Sequence, residues 1–168
     1  MEHFPDHVAR IQAEWARERP DLDVTPQGVI GRLHRLAAAL TQELVTVYRR
    51  HGLGEGEFDV LATLRRAGAP YERAPGELAQ FTMVTTGAMT KRLDRLVEAG
   101  LVTRRTSEQD ARARVVALTP QGLSVIDAAF TEHMANEHRL LEGLSADEIR
   151  LLEGLLTSWL GRFETDPR

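Results

Sequence analysis

The chain contains no cysteine among its 168 residues. Disulfide bonds, thiolate metal sites and a cysteine nucleophile are therefore excluded, and a reducing compartment such as the cytoplasm is the expected location. Long apolar runs are also missing, since none approaches the roughly 18 residues that a membrane-spanning helix requires. The N-terminal stretch lacks the apolar core of a signal peptide. These absences predict a soluble, cytoplasmic protein with no membrane partner.

Motifs of the common enzyme classes are equally scarce. GxSxG, HExxH, P-loop and GxGxxG are absent, and the few serines stand in no nucleophile context. His133 and His138 lie beside glutamates, but their five-residue spacing places the two imidazoles on different faces of a helix, which disfavours a shared metal site. We therefore expect no enzymatic activity, no cofactor and no metal. An enzyme acting on a purine is the alternative, and steady turnover by the purified protein would reveal it.

Acidic residues outnumber basic ones overall, yet basic residues are concentrated in one segment. The chain has a formal net charge of −4, and Lys91 is its single lysine. Residues 81–122 nevertheless carry seven basic and four acidic groups, whereas the segments on either side are acidic. A basic segment inside an acidic protein can contact phosphates while the acidic remainder limits nonspecific binding. The charge distribution is therefore compatible with a nucleic-acid partner.

Apolar spacing predicts a mainly α-helical chain with one β-hairpin, in the order α-α-α-α-α-β-β-α-α. Thr25 and Thr119, each followed by proline, are the predicted N-caps of two of the longer helices. Ser145 and Glu148 have the spacing of a capping box, so a further helix is expected to begin there.

Two other patterns concern the hairpin and the apolar faces. β-rich stretches at 101–105 and 114–118 flank a charged spacer, which predicts a hairpin although no Asn-Gly turn marks it. The helices at 29–47 and 149–163 carry apolar faces that are too broad for an exposed position in a monomer. We expect these faces to pack against more than their own domain.

A short helix, a tight turn, a second helix and the charged hairpin follow one another between residues 75 and 118. This is the order of a winged helix-turn-helix, whose second helix enters the major groove and whose hairpin contacts the flanking backbone or the minor groove. The second helix, predicted over 85–99, begins with hydroxyl groups and a glycine that suit a phosphate. An ordinary amphipathic helix with a solvated face is the alternative. The residues predicted to bind DNA are Thr85, Thr86, Gly87, Thr90, Lys91, Arg112 and Arg114.

Arg92 lies on the opposite, apolar face of this second helix, with Met89 and Leu96. A guanidinium on an inward face is costly unless it meets an anion. Asp59, on the helix GEFDVLATLRRAG, is the candidate partner. Two interpretations are open. One is a structural Arg–Asp pair that joins two helices, and the other is a site where an anionic ligand competes for Arg92.

The run from GELA through TTGAMTKRLDRLVEAGLVTRR to DARARVVALTPQG resembles the MarR family of bacterial transcription regulators. An Asp-x-Arg wing followed by Leu-Thr-x-x-Gly carries the resemblance, at Asp110, Arg112, Leu118, Thr119 and Gly122. Asp110 is the residue expected to support the wing. The resemblance covers about residues 26–163. It implies a winged-helix homodimer whose terminal helices interlock and whose wings straddle a pseudo-palindromic operator in double-stranded DNA.

On this resemblance the chain forms one intertwined domain with three regions. An extra N-terminal helix is expected at 1–24, dimerisation helices at 25–52 and 120–168, and the winged helix-turn-helix at 53–119.

The stretches WARERPDLD, FDVLATLRRAG and TTGAMTKRLDRL are similar to the branch of this family that responds to urate. The resemblance implies a regulator, expected to be a repressor, that leaves its operator when urate or a related aromatic anion binds. A regulator that responds to a phenolic acid and an architectural DNA-binding protein that responds to no ligand are the alternatives. The implied ligand residues are Trp15, Asp59, Arg92 and Arg104, with Arg105 as an alternative for the last. Trp15 is alternatively a plain core residue or an anchor of the dimer.

Overall fold

The computed structural model describes residues 6–82, 86–106 and 114–164. Within these residues the chain forms seven helices and three short strands, which confirms the expected mainly helical winged helix-turn-helix. In chain order they are α1 (His7–Glu18), α2 (Thr25–Arg50), α3 (Glu55–Arg66), β1 (Glu72–Arg73), α4 (Pro75–Phe81), α5 (Thr86–Glu98), β2 (Val102–Thr106), β3 (Arg114–Leu118), α6 (Pro120–Leu140) and α7 (Ala146–Leu160).

The apolar core lies where α3, α4, α5 and α6 meet the small sheet. Each element contributes side chains that are almost completely buried, and each such side chain stabilises the fold by about 1.5–3 kcal/mol. The C-terminal end of α2 joins this core, because the Tyr48 ring stacks on Phe58 with 4.0 Å between the ring centroids. The core therefore fixes α5 from several directions. Its principal members are Leu61, Leu64, Leu78, Leu93 and Ile126.

The sheet has three antiparallel strands in the order β1-β3-β2. The hairpin of β2 and β3 agrees with the predicted one to within a residue. The third strand was not predicted, because Glu72 and Arg73 are too few to show an alternating pattern. These two residues pair with Ala117 and Val116 of β3. β1 thereby attaches the inner side of the wing to the segment that precedes α4.

Two of the three predicted helix caps are confirmed. The Thr119 hydroxyl accepts a hydrogen bond from the Gly122 backbone N–H at 2.9 Å, and the Ser145–Glu148 capping box is complete. The third prediction is wrong, since Thr25 is already helical and Val24 occupies the N-cap position of α2. Asp23 explains the difference, because its carboxylate accepts from the Thr25 N–H at 3.0 Å and so replaces a threonine cap.

Gly122 lies where the first turn of α6 approaches the start of the wing. A Cβ atom added there would come well within 3.0 Å of the Leu101 carbonyl oxygen, a backbone atom that cannot move aside. The Thr119 N–H donates to the same carbonyl at 3.1 Å, and its hydroxyl donates to the Gly100 carbonyl at 2.8 Å. The Leu-Thr-x-x-Gly motif therefore clamps the wing to α6.

The terminal helices are packed much less completely. α1 runs antiparallel to the N-terminal half of α2, with Val8 against Gly31 and the Gln12 amide donating to the Val24 carbonyl at 3.0 Å. α7 buries none of its residues within the described chain, and Leu155 is 61% exposed. Among the described residues, no helix has both the length and the apolar character needed to cross a membrane.

Candidate DNA-binding and effector site

The two faces of α5 have different characters. Met89, Leu93 and Leu96 are buried against the core, which leaves the opposite side of the helix facing outward because the helical repeat is 3.6 residues. That outer face carries mainly small, hydroxyl-bearing and charged residues, with Val97 as an exposed apolar side chain near its C-terminal end. Its other exposed members include Gly87, Thr90, Lys91 and Asp94.

Several residues predicted to bind DNA cannot be placed by side chain. Only the backbone of Thr86, the first residue of α5, is described. Arg114 is exposed at the start of β3, and its Nη1 donates across the hairpin to the Thr106 hydroxyl at 3.3 Å. Three predicted site residues lie outside the described residues, namely Thr85, Asp110 and Arg112.

Arg104 joins the wing to the outer face of α5. Its Nη1 lies 2.7 Å from the Asp94 carboxylate, and its Nη2 donates to the Thr90 carbonyl at 3.3 Å. Arg105 points to the other side of β2, because side chains alternate along a strand, and it forms an ion pair with Glu72 of β1. Arg104 therefore connects β2 to α5.

Arg92 lies half-buried on the inner side of α5, against the first turn of α3. Its guanidinium packs directly over Gly56, since a Cβ atom added there would lie within 3.0 Å of Nε, Cζ and Nη2. Nη1 is buried and has no hydrogen-bond partner within the described part of the chain. A buried guanidinium N–H without an acceptor is costly, so this atom is a ready donor for an incoming anion.

Asp59 lies half-buried on α3, within electrostatic range of Arg92. Burial raises the pKa of its carboxyl, and the charge of Glu55 raises it further, while Arg92 and Arg66 act in the opposite direction. No ion pair within 4.0 Å joins Asp59 to Arg92 in the described residues. The structure thus brings the two charges near each other without a direct contact that would satisfy both.

Two residues beside Asp59 were not recognised from the sequence as part of this region. The Tyr48 hydroxyl lies 3.4 Å from Nδ1 of His133, and His133 Nε2 lies 3.2 Å from Glu137. Burial raises the pKa of Tyr48 to about 12, with Asp59 as the next cause. The signal for His133 was its helical spacing with Ile126 and Ala129 of the same buried face, rather than its neighbouring glutamates.

Trp15 is separated from Asp59 and Arg92 within one chain. It lies on α1, is 47% exposed, and follows Val8 and Gln12, whose contacts with Gly31 and Val24 progress toward the N-terminal end of α2. Tyr48, beside Asp59, lies at the opposite end of that helix. At 1.5 Å per residue, the intervening length of α2 is roughly 30 Å. Of the four implied ligand residues, the structure therefore brings together only Asp59 and Arg92, while Arg104 touches the far side of α5.

Comparison with known proteins identifies the family. Residues 51–113 match a family model described as the MarR family. The chain is 40% identical over 149 residues to the HTH-type transcriptional regulator PecS of Dickeya dadantii, a similarity that covers 89% of this chain and 90% of PecS. The chain belongs to the MarR family. Because this is a family of transcription regulators and not of enzymes, the expectation of a non-enzymatic protein is confirmed.

Solved structures of MarR proteins share this architecture. AbsC from Streptomyces coelicolor superposes with a TM-score of 0.75 at 22% identity, over 84% of this chain and 96% of AbsC. A cysteine-to-serine mutant of MarR from E. coli, solved in complex with operator DNA, superposes with a TM-score of 0.69 at 30% identity, over 83% and 99% of the two chains. The protein is a DNA-binding transcription regulator of the MarR type.

Proposed function

We propose that this MarR-family regulator is a cytoplasmic homodimer that represses transcription from a pseudo-palindromic operator and leaves it when urate or a related aromatic anion binds. The observation that carries the effector half of this proposal is Arg92. It faces inward from the helix that reads DNA, and its buried Nη1 has no acceptor in the described chain.

The DNA-binding half is supported by the outer face of α5 and by the wing. Lys91 and Thr90 are exposed there, Gly87 leaves open space for close approach of a phosphate, and Arg114 extends from the hairpin. We propose that α5 enters the major groove while the wing contacts the backbone beside it. Thr85, Thr86 and Arg112 complete the proposed DNA-contacting set.

The homodimer is supported by the apolar faces of α2 and α7. An open cleft of about 550 Å³ lies between them, lined by Val29, Leu33, Leu152 and Trp159. Exposed apolar surface of this kind marks an interface, since a soluble monomer rarely leaves it uncovered. We propose a second copy of the chain as its occupant, because a two-fold axis would also present two copies of α5 to two operator half-sites.

The effector mechanism follows from the charges around Arg92. An anion arriving between α3 and α5 would accept from Arg92 Nη1 and repel the nearby Asp59 carboxylate, which would displace α5 from its groove-reading position. The Arg104–Asp94 ion pair, 2.7 Å long, would transmit that displacement to the wing. A ligand shifts such an equilibrium only by its difference in affinity for the two conformers. A coupling of about 1–3 kcal/mol would weaken operator binding about 5- to 150-fold.

Trp15 enters this proposal through the dimer. Since its own α1 lies roughly 30 Å from Asp59 along α2, we propose that the tryptophan covering the effector comes from the second copy. Its flat ring would then stack on an aromatic anion. The alternative role of Trp15, as an anchor of the dimer interface, requires no ligand.

A ligand screen tests the proposed function directly. The melting temperature and the operator affinity of the purified protein are measured with urate, xanthine, hypoxanthine and phenolic acids. Urate is expected to raise the melting temperature, because a ligand of the native state stabilises it by mass action, and to release the operator. If a phenolic acid alone has both effects, the effector class is wrong. If no anion changes operator affinity, the ligand-independent architectural alternative is correct.

A further inference from the structure

Gly56 lies in the first turn of α3, directly beneath the guanidinium of Arg92. A Cβ atom added at Gly56 would lie 2.8 Å from Nη2 of Arg92 and still nearer to Nε and Cζ. Separations under 3.0 Å are essentially never seen for real Cβ atoms. The guanidinium therefore occupies the space that any side chain at position 56 would fill.

We propose that Gly56 is the positioning residue of the effector site. Because Gly56 has no side chain, the Arg92 guanidinium can lie directly against α3. This inference rests on the proposed function, in which Arg92 binds the effector anion. A methyl group at position 56 moves the guanidinium out of its place over the first turn of α3. The anion then loses its principal hydrogen-bond donor, and urate releases the operator only at higher concentrations.

The substitution Gly56→Ala is expected to move Arg92 without unfolding the protein. The atoms that a new methyl group would meet are the far end of a flexible side chain and not backbone. Gly56 lies within a helix and has no left-handed backbone angle, so alanine fits the backbone and has the higher helix propensity. A purely structural role therefore predicts an unchanged or higher melting temperature.

In this variant α5 keeps its other contacts with the core and with α3. Met89, Leu93 and Leu96 remain buried in the core, and the Arg95 guanidinium still lies 3.2 Å from the Glu57 carboxylate of α3. Operator affinity without effector should therefore stay within about threefold of the parent. The urate concentration for half-release should rise about 10-fold or more, as expected when a hydrogen bond to a charged group is lost.

The first experiment compares operator release by urate in the parent, Gly56→Ala and Gly76→Ala. Gly76 is a matched control, because it also lies near the start of a helix and a Cβ atom there would meet nothing within 4 Å. We expect Gly76→Ala to respond to urate like the parent and Gly56→Ala to require about 10-fold more urate or more for half-release. A parental urate response in Gly56→Ala would overturn the positioning role.

A thermal double-mutant cycle tests the same contact without any effector. Gly56→Ala is measured in the parent and in Arg92→Ala, where there is no guanidinium to displace. We expect the melting temperature to rise more in the Arg92→Ala background, whereas Gly76→Ala should have the same effect in both. Equal effects of Gly56→Ala in both backgrounds would overturn the inference. If urate fails to release even the parent, the proposed effector is refuted, and this cycle still decides whether Gly56 positions Arg92.

Discussion

The winged helix-turn-helix and the terminal helices bury their apolar side chains to different extents within one chain. In the former, side chains such as Leu64 and Leu93 are almost completely buried by neighbouring elements of the same chain. In α7 no described residue is buried, and Leu155, together with Phe163 just beyond the helix, is among the most exposed apolar side chains of the described chain. The apolar core of the first region is buried within one chain, whereas the apolar face of the second is left exposed. On our proposal, the first region reads DNA and the second assembles the dimer.

The largest expected effect comes from removing most of α7, the helix whose apolar face is exposed. Deletion of residues 149–168 should leave protein that is insoluble or does not bind the operator, because α2 would lose both its own α7 and the proposed second copy. The intact protein should sediment as a dimer at micromolar concentration. A monomeric intact chain that binds the operator would contradict the proposed role of α7.

Gly122→Ala should destabilise the winged helix-turn-helix. Its new methyl group would meet the Leu101 carbonyl oxygen, a backbone atom, and we expect a loss of about 3 kcal/mol in the free energy of unfolding. Gly76→Ala on α4 is the matched control, because a Cβ atom there would meet nothing within 4 Å and alanine has the higher helix propensity. Urea denaturation measures both. Equal stability of the two variants would show that the wing is not clamped to α6.

Lys91→Ala should weaken operator binding. The free energy of binding lost should be smaller than the losses expected for the deletion and for Gly122→Ala. Removal of one phosphate contact reduces the slope of log affinity against log salt by roughly one. The control is Arg150→Ala, which removes an exposed positive charge from α7. A salt titration of operator binding that is parental for Lys91→Ala would mean that the outer face of α5 does not contact DNA.

The smallest effect concerns Asp59, an unfavourably placed charge within the otherwise well-packed region. Burial raises the pKa of this carboxyl above its usual value of 3.8, so the folded state holds the proton more tightly than the unfolded state. The associated stability is present below pH 3.8 and is lost as pH rises through the folded pKa. Asp59→Asn should therefore melt at a higher temperature than the parent at neutral pH.

The pH dependence provides the check on that sign. The advantage of Asp59→Asn should shrink as pH falls toward the ordinary pKa of aspartate. Asp21→Asn is the opposing control, because the Arg19 side chain lowers the pKa of Asp21, and this variant should gain nothing at neutral pH. A melting temperature of Asp59→Asn below that of the parent at neutral pH would mean that Asp59 forms a favourable ion pair.

Patterns of local periodicity made most of the helices predictable. The apolar spacing of α5 separated its two faces correctly, and the threonine and serine caps of α6 and α7 were readable because their partners lie three residues away. β1 was missed because its partners in β3 are more than 40 residues distant and its two residues carry no pattern of their own.

The candidate site was predictable by residue type but not by arrangement. Arg92 stood out because a charge on an apolar helix face is rare. No local pattern reveals that Gly56 lies beneath it, since a glycine near a helix start has many possible reasons. Nor does spacing along the chain show that Trp15 and Asp59 lie near opposite ends of α2, because that separation depends on the direction in which α1 packs.

On our proposal Arg92 couples effector binding to operator release, and one comparison tests this coupling most directly. Operator binding is measured with and without urate for the parent, Arg92→Ala and Arg95→Ala. Arg95 is the matched control, an arginine of the same helix that is 65% exposed and paired with Glu57. We expect urate to release the parent and Arg95→Ala, whereas Arg92→Ala should bind the operator and not respond to urate. An Arg92→Ala variant that folds, binds the operator and is released at the parental urate concentration would contradict this coupling.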